Sequence, residues 1–285
     1  MLNRLILLIL CILTASCTGS NKQIPIKVMT FNIRYDNPRD GKNTWNNRKE
    51  LAVETILSEK IDIVGMQEVL LNQQKYLEEN LIDYHHYAVG RDDGKTRGEM
   101  GSIFFLKDRF EPLEKATFWL SETPDSIGSK GWEAVLPRIV SWVRFQDKKN
   151  NKEFYFFNTH FSHVSDEARI SSAQLLVKKV AEIAGDQAVI ISGDFNSTED
   201  SEAYRIITEE KGNASLFNSH YISESEHFGG LNTINGFGRS NKEAIIDYLF
   251  TNSGFNVKTH GVLAIKKDSI FISDHYPVVT DICFK

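Results

Sequence analysis

The order of apolar and polar positions predicts many short strands with a few longer helices between them. Strand-like runs rich in β-branched and aromatic residues recur along the chain. They cover residues 26–33, 61–66, 103–106, 139–145, 154–159, 188–192, 245–250 and 278–283. Many strands with few helices indicate two sheets packed face to face, with the helices outside them.

Two helices are predicted between these strands. The clearer one covers residues 166–184, where Ser165 can cap the first turn and acidic residues follow it. One face of that segment carries an apolar stripe with helical spacing, which includes Leu176 and Val180. A less regular stripe predicts a second helix over residues 46–58.

The first residues have a pattern typical of an export signal. Arg4 precedes an apolar run over residues 5–13, and small residues then lead to Cys17. This run is too short to span a bilayer as a permanent helix. Small residues before a cysteine resemble the bacterial lipobox, in which cleavage leaves the cysteine as a lipidated N-terminus. We therefore expect lipidation at Cys17, and simple secretion is the alternative.

The rest of the chain has the pattern of one domain. No internal repeat, low-complexity tract or linker interrupts the sequence after residue 23. We expect a signal over residues 1–17, a short tether over residues 18–24 and a catalytic domain over residues 25–285. Cys283 is the one cysteine left after Cys11 and Cys17, so the domain has no internal disulfide and no cysteine-based metal site.

The net charge of the protein bears on whether it binds nucleic acid. The 285 residues are 41% hydrophobic and 25% charged, with a net charge of −5. Affinity for long nucleic acids comes largely from neutralisation of phosphates by Lys and Arg. The acidic balance therefore disfavours a general nuclease, although a local basic cleft would still permit nucleic acid as a partner.

Polar residues that can carry chemistry lie at or just beyond the ends of the predicted strands. A packed sheet can hold such side chains in a fixed array. Taken singly, each has an ordinary structural explanation, since an Asp after a Gly is most often a turn residue. The residues are Asn32, Glu68, His160, Asp194, Asn196, Asp247, Asp274 and His275.

Six short motifs occur in one order between residues 30 and 277: T-F-N-I, Q-E, N-T-H, G-D-F-N, I-D-Y and S-D-H. In this order they resemble the metal-dependent endonuclease/exonuclease/phosphatase superfamily, which includes DNase-I-like nucleases, sphingomyelinases and inositol polyphosphate phosphatases. The resemblance implies an α+β fold, a four-layer α/β/β/α sandwich of two mostly antiparallel sheets. It also implies hydrolysis of a phosphate ester or diester by direct attack of water.

The resemblance further implies a metal site built from oxygen ligands. Mg²⁺ prefers hard oxygen ligands and typically binds one or two carboxylates together with the substrate phosphate. Glu68 is expected to be the principal ligand, with Asn32 beside it and Asp274 completing the site. Mn²⁺ could replace Mg²⁺ at such a site.

The same resemblance assigns catalytic roles to the other strand-end residues. Asp194 is expected to deprotonate the attacking water, and Asn196 to orient the phosphate. His160 and His275 would donate hydrogen bonds to the developing charge on the phosphoryl oxygens. Asp247 would accept a hydrogen bond from His275 and fix its tautomer.

Further loop segments resemble a bacterial branch of secreted and mostly uncharacterised members of the superfamily. Polar and aromatic side chains in such loops are the usual material of a substrate pocket. Packing within a loop is the competing interpretation for Trp132, and a surface salt bridge is the competing one for Arg138. The candidates for substrate binding are Arg34, Trp45, Arg48, Arg97, Glu99, Trp132 and Arg138.

Three functions remain open at this point. The leading hypothesis is Mg²⁺-dependent hydrolysis of a phosphodiester or phosphomonoester outside the cytoplasm, on a small, glycan-linked or lipid-linked substrate. The enzyme would be a monomer that touches the membrane only through its lipid. The alternatives are an extracellular nuclease and a lipoprotein that binds a substrate without turnover; the complete set of candidate catalytic residues disfavours the latter.

Overall fold

The computed structural model describes residues 23–209, 212, 215–239 and 244–285, in which two β-sheets pack face to face between α-helices. Cys17 and the predicted signal lie outside the described residues. Within the described residues, no helix is long and apolar enough to cross a membrane. The helices are α1 (Trp45–Ser58), α2 (Leu71–Asn80), α3 (Asp166–Ala184) and α4 (Glu202–Thr208). The strands are β1 (Ile26–Asn32), β2 (Ile63–Val69), β3 (Tyr84–Tyr87), β4 (Met100–Leu106), β5 (Phe110–Trp119), β6 (Ile139–Asp147), β7 (Lys152–His160), β8 (Ala188–Asp194), β9 (Phe217–Asn218), β10 (Phe228–Gly229), β11 (Asp247–Thr251), β12 (Phe255–Val262), β13 (Lys266–Lys267), β14 (Ile270–Phe271) and β15 (Val278–Phe284).

The two sheets are mixed but mostly antiparallel. The larger sheet has the strand order β10-β12-β15-β1-β2-β4-β3, and the second sheet has the order β5-β6-β7-β8-β11-β9. The pairs β1–β2, β10–β12 and β7–β8 are parallel, and the other neighbours in these sheets are antiparallel. This arrangement confirms the predicted α+β sandwich.

Three apolar clusters separate the four layers. One lies between the sheets and includes Val28 of β1 and Phe156 of β7. A second packs α1 and α2 on the outer face of the larger sheet, where Met29 points. The third packs α3 and α4 on the second sheet. Because successive side chains of a strand point to opposite faces, Val28 and Met29 serve different layers.

The inner faces of the sheets change from apolar to polar towards one rim. Asn158 of β7 is fully buried there, and its Oδ1 accepts hydrogen bonds from Gln67 Nε2 at 2.7 Å and Ser192 Oγ at 3.0 Å. Its Nδ2 donates to the backbone oxygens of Met66 at 2.8 Å and Ser102 at 3.2 Å. Since these partners come from both sheets, Asn158 fixes how the sheets sit on each other.

Gly65 of β2 makes this close approach possible. A Cβ atom at this position would lie 2.1 Å from Ser192 Oγ and 2.7 Å from Asn158 Oδ1. Contacts that short are excluded, so a side chain here would push the sheets apart. The absence of a side chain at Gly65 therefore lets the polar network close directly beneath the rim.

Replacing Asn158 with Ala should destabilise the protein strongly. The change leaves buried groups of both sheets without partners, and we expect the free energy of unfolding to fall by about 3 kcal/mol. Asn46→Ala, an exposed position on α1, is the matched control and should change it by less than about 0.5 kcal/mol. Urea denaturation measures both values, and equal effects would contradict the role given to Asn158.

Candidate active site

The candidate active site lies where strand ends of both sheets meet at the polar rim. A cavity of about 390 Å³ opens there. Asn32 and Asp247 are 1% and 2% exposed and lie directly behind its wall. The structure thus brings all eight strand-end candidates together. The six that line the cavity are Glu68, His160, Asp194, Asn196, Asp274 and His275.

Asn32 joins the carboxylates of the two sheets. Its Nδ2 donates to Glu68 Oε1 at 3.1 Å and to Asp194 Oδ2 at 2.9 Å. Its Oδ1 accepts from the backbone N–H of Arg34 at 2.9 Å. Because the amide oxygen is bonded to the backbone behind the wall, Asn32 positions the two carboxylates. The expectation that Asn32 also binds the metal stays a prediction.

The backbone conformation of the wall aims several side chains into the cavity. Glu68 has φ +63°, in the left-handed region that non-glycine residues rarely adopt. The pairing of β2 with β4 shifts register between Met66 and Val69, and such a bulge redirects the side chain within it. Arg34 and Asn196, on the same wall, also have positive φ. Left-handed residues concentrated on one wall indicate a geometry that the fold enforces for function.

Glu68 is held as a carboxylate. Burial alone would raise its pKa, but the positive charge of His275 and hydrogen bonds from Tyr35 N and Asn32 Nδ2 bring the pKa below its ordinary value. An ionised carboxylate is the form that binds a hard cation.

Asp194 has the properties of a base that works near neutral pH. Burial, followed by repulsion from Asp247, raises its pKa to about 7. Its Oδ1 accepts from the backbone N–H of Asn196 at 2.9 Å, and its Oδ2 accepts from Asn32. A catalytic base is most effective when its pKa lies near the working pH.

The two histidines of the site differ in protonation. Burial lowers the pKa of His275, but Asp247 and Asp194 outweigh it and raise the pKa well above the ordinary value. The His275 Nδ1 donates to Asp247 Oδ2 at 2.9 Å, so its Nε2–H is left for another acceptor. Burial and the charges of Arg138 and Arg91 instead lower the pKa of His160, which is therefore neutral.

The donor set fits a hard divalent cation. Ligand atoms of Glu68, His160 and Asp194 lie within 4.8 Å of one another. Burial and repulsion from Glu68 raise the pKa of Glu99, and the same two causes raise that of Asp274. A divalent cation would relieve this crowding of carboxylates. Glu68 and Asp274, the residues predicted to hold it, both line the cavity.

Three of the predicted substrate-binding residues line the cavity: Arg34, Glu99 and Arg138. Arg138 is 4% exposed, and its Nη2 hydrogen-bonds His163 Nδ1 at 2.9 Å. Its Nη1 is buried and has no hydrogen-bond partner among the described residues. A buried cationic donor without an acceptor is costly, so this group is suited to an anion bound in the cavity.

Trp45 and Arg48 do not contact the cavity, which corrects their predicted role. Trp45 is 2% exposed and packs edge-on against Tyr76, joining α1 to α2. Arg48 is fully buried and donates to the backbone oxygens of Arg34 at 2.6 Å and Asn43 at 3.0 Å. These bonds hold the loop that carries Arg34, so Arg48 supports the site from behind.

Arg97 and Trp132 also lie off the cavity wall. The Arg97 side chain is 75% exposed and pairs with Asp93 at 3.3 Å. Trp132 is half-buried and packs against the apolar cluster on the outer face of the second sheet, as the competing interpretation held. Neither is placed to touch a ligand in the cavity.

Four residues contribute to the site without having been predicted. Tyr35, Leu136 and His163 line the main cavity. Arg91 lines a smaller cavity. Four residues line both this cavity and the main one: Glu68, Glu99, Arg138 and His160. The Nη1 of Arg91 donates to Glu99 Oε2 at 2.6 Å. Arg91 belongs to a charged segment between two glycines, Gly90-Arg91-Asp92-Asp93-Gly94. This pattern is the feature of the sequence that could have indicated a functional loop.

The sequence and the fold have counterparts among known proteins. The model of a family described as Endonuclease/Exonuclease/phosphatase matches residues 29–275. An endonuclease/exonuclease/phosphatase of Bacteroides vulgatus is 40% identical, with a TM-score of 0.88 over 92% of this chain and 100% of that one. The mannosyl-6-phosphatase of Bacteroides thetaiotaomicron is 35% identical, with a TM-score of 0.83 over 91% and 100%. An uncharacterised protein of Acanthamoeba polyphaga mimivirus is 26% identical over 82% of this chain and 91% of its own length.

Replacing Asp247 with Asn should lower the pKa of His275 in the metal-free protein. The change removes the leading cause that raises this pKa, so the ring should lose its proton at a lower pH than in the wild type. Imidazole ¹⁵N shifts followed against pH in EDTA report the titration. Asp281→Asn, on β15, is the control and should leave it in place. An unchanged His275 titration in Asp247→Asn would show that Asp247 does not hold the charged ring.

Proposed function

The chain belongs to the endonuclease/exonuclease/phosphatase family and is a metal-dependent phosphoester hydrolase, and we propose that it is a Mg²⁺-dependent phosphomonoesterase for a sugar phosphate. The substrate would be small or glycan-linked, with its terminal phosphate bound in the cavity at the polar rim.

The observation that carries this proposal is the buried Arg138, which lines the cavity and whose Nη1 has no hydrogen-bond partner among the described residues. A terminal phosphate has three free oxygens, one of which can accept from this donor while others meet the metal and the histidines. Arg34 adds a second guanidinium to the same wall. Two cations beside a carboxylate-rich metal site match a dianionic monoester better than a singly charged diester.

The size of the cavity and the relatives of the protein support a sugar as the leaving group. A cavity of about 390 Å³ falls in the range of small-molecule pockets. Polar and apolar groups such as Glu99, Tyr35 and Leu136 line it together, as suits a sugar ring with hydroxyl edges and apolar faces. The likeness to a mannosyl-6-phosphatase favours the same substrate class.

In the proposed mechanism, Asp194 takes the proton of the attacking water as the water oxygen bonds to phosphorus. The bond from phosphorus to the sugar oxygen breaks, and the sugar leaves as an alcohol after this oxygen takes a proton from solvent. The pKa of Asp194, about 7, keeps much of its carboxyl group ionised near neutral pH. Asn196 and the Nε2–H of His275 hydrogen-bond phosphoryl oxygens as charge develops on them. Glu68 and Asp274 would hold Mg²⁺, which would neutralise charge on the phosphate. Asn32 and Asp247 keep the base and the histidine in place.

We also propose that the enzyme works outside the cytoplasm as a monomer, held to the membrane through a lipid on Cys17. The support is the apolar run followed by small residues and a cysteine at the start of the chain. The acidic net charge of −5 supports a substrate other than long nucleic acid.

Phosphate release from mannose 6-phosphate tests this function, with bis-p-nitrophenyl phosphate and plasmid DNA as competing substrates. We expect turnover of the sugar phosphate with Mg²⁺ and none with EDTA. Asp194→Asn should lower kcat by about 10³-fold. Arg138→Met should raise KM for the monoester by about tenfold, because it removes a charged hydrogen bond to the phosphate.

Arg144→Met is the matched control for Arg138, since Arg144 lies on β6 and pairs with Glu114 and Glu153 on the solvent side. It should keep wild-type kinetics. Nicking of plasmid without sugar phosphate turnover would instead establish the nuclease. Tight binding of a phosphate ester with no hydrolysis would establish the binding protein, and equal kinetics of the two arginine variants would remove Arg138 from phosphate binding.

A further inference from the structure

Three histidines meet on the opposite side of Asp247 from the catalytic cavity. His260 lies on β12, His227 directly precedes β10, and His220 follows β9. Their rings form a triangle with centroid separations of 4.9, 5.1 and 5.2 Å. They therefore bring together segments that are distant in sequence, and none of the three belongs to the catalytic arrangement.

The ring nitrogens of this cluster converge. His227 Nδ1 lies 2.9 Å from His260 Nδ1, and one ring nitrogen of each histidine lies within 4.8 Å of the others. Ligands of tetrahedral Zn²⁺, bound at about 2.0–2.1 Å, are separated from one another by about 3.3 Å. Small rotations of the rings reach that spacing without movement of the strands.

The hydrogen bonds of His227 prepare a lone pair for a cation. Its Nε2 contacts the backbone oxygen of Gly230 at 3.0 Å, and an oxygen can only accept, so Nε2 carries the proton. The ring then presents Nδ1 to the cluster, where a metal ion would replace its contact with His260 Nδ1. A histidine that binds a metal through one nitrogen usually donates the other N–H to a carbonyl or a carboxylate.

The surroundings favour the neutral form of the His220 and His260 rings. Burial, together with the neighbouring histidines, lowers the pKa of His260 to about 3. Burial and His227 also lower the pKa of His220. Neutral imidazole is the form that binds a metal.

We propose that His220, His227 and His260 bind a structural Zn²⁺ ion that is distinct from the catalytic metal. Three imidazoles suit Zn²⁺, whereas Mg²⁺ prefers the carboxylate oxygens of the catalytic cavity. A water molecule would complete a tetrahedral site. The adjoining cavity of about 10 Å³, lined also by Glu199 and Asp247, has room for about one such molecule.

The ion would fasten the connection between β9 and β10 to the edge of the larger sheet. Strand β10 contributes only Phe228 and Gly229 to its pairing with β12, and Phe228 and Leu231 are exposed. Backbone hydrogen bonds from Glu224 N to Val257 O at 2.9 Å and from Ser225 N to Lys258 O at 3.2 Å also hold the segment to β12. Coordination by His220 and His227 from the segment and by His260 from β12 would add a further attachment, made by side chains. Asp247, the hydrogen-bond partner of His275, borders the same cavity, so the ion would also restrict the movement of Asp247.

Zinc retention by the purified protein tests this site. The protein is stripped with EDTA and dialysed into excess Mg²⁺, which keeps the oxygen-ligand site filled. It then receives Zn²⁺ and is desalted, and bound zinc is measured by plasma mass spectrometry. We expect about one Zn²⁺ per chain and a rise in Tm of about 5 °C. His227→Gln should lose both, whereas His85→Gln, an exposed histidine on β3, should keep both.

Further measurements separate loss of the site from loss of the fold. His220→Gln, at a less buried ring, should also lose zinc, and circular dichroism with Mg²⁺ present should show that both variants stay folded. With Co²⁺ as a probe, the visible bands of a tetrahedral site should appear in the wild type and be absent from His227→Gln. Zinc retained by the variants, absent from the wild type, or lost only in Glu68→Gln would overturn the proposal.

Discussion

The two hydrogen bonds donated by the amide of Asn32 set the geometry on which the site depends. One reaches Glu68 on the larger sheet and the other reaches Asp194 on the second sheet. The spacing between the proposed metal ligand Glu68 and the proposed base Asp194 is therefore a spacing between two sheets. Asn158 fixes this spacing below the site, and Gly65 allows the sheets to approach closely enough for that contact. A small relative shift of the sheets would change the distance between Glu68 and Asp194.

The electrostatics of the rim follow from this close packing. Burial, followed by repulsion from Asp247, raises the pKa of Asp194, while the protonated ring of His275 introduces a positive charge among the carboxylates. The remaining excess of negative charge is what a divalent cation relieves. Arg138 lies on the same wall, and its Nη1 has no hydrogen-bond partner among the described residues, so a bound anion would supply one. Under the proposed function, a cation and an anion would bind side by side, as hydrolysis of a phosphate ester demands.

Much of the fold could be predicted from local patterns, because the buried strands and the long helix α3 have clear periods. Strands such as β5 escaped prediction for a physical reason. It lies at the edge of its sheet, exposes Glu111, Glu114 and Lys115 and contains Pro112, so its sequence does not alternate as a half-buried strand does. The strand-end residues of the site were predictable from order and position. Trp45 and Arg48 were misassigned because their burial depends on distant segments. Arg91 and His163 reach the site through loops, whose paths the local sequence does not determine.

Anomalous diffraction from crystals grown with Mn²⁺ and inorganic phosphate would test the central claim most directly. Mn²⁺ substitutes for Mg²⁺ at oxygen ligands and gives a signal that identifies it. The account predicts a manganese peak bound to the carboxylate of Glu68, with Asp274 beside it, and a phosphate between this ion and Arg138 Nη1. It also predicts that one phosphate oxygen lies within hydrogen-bonding distance of Asp194. Manganese bound away from Glu68, or phosphate that leaves Arg138 unpartnered, would contradict it.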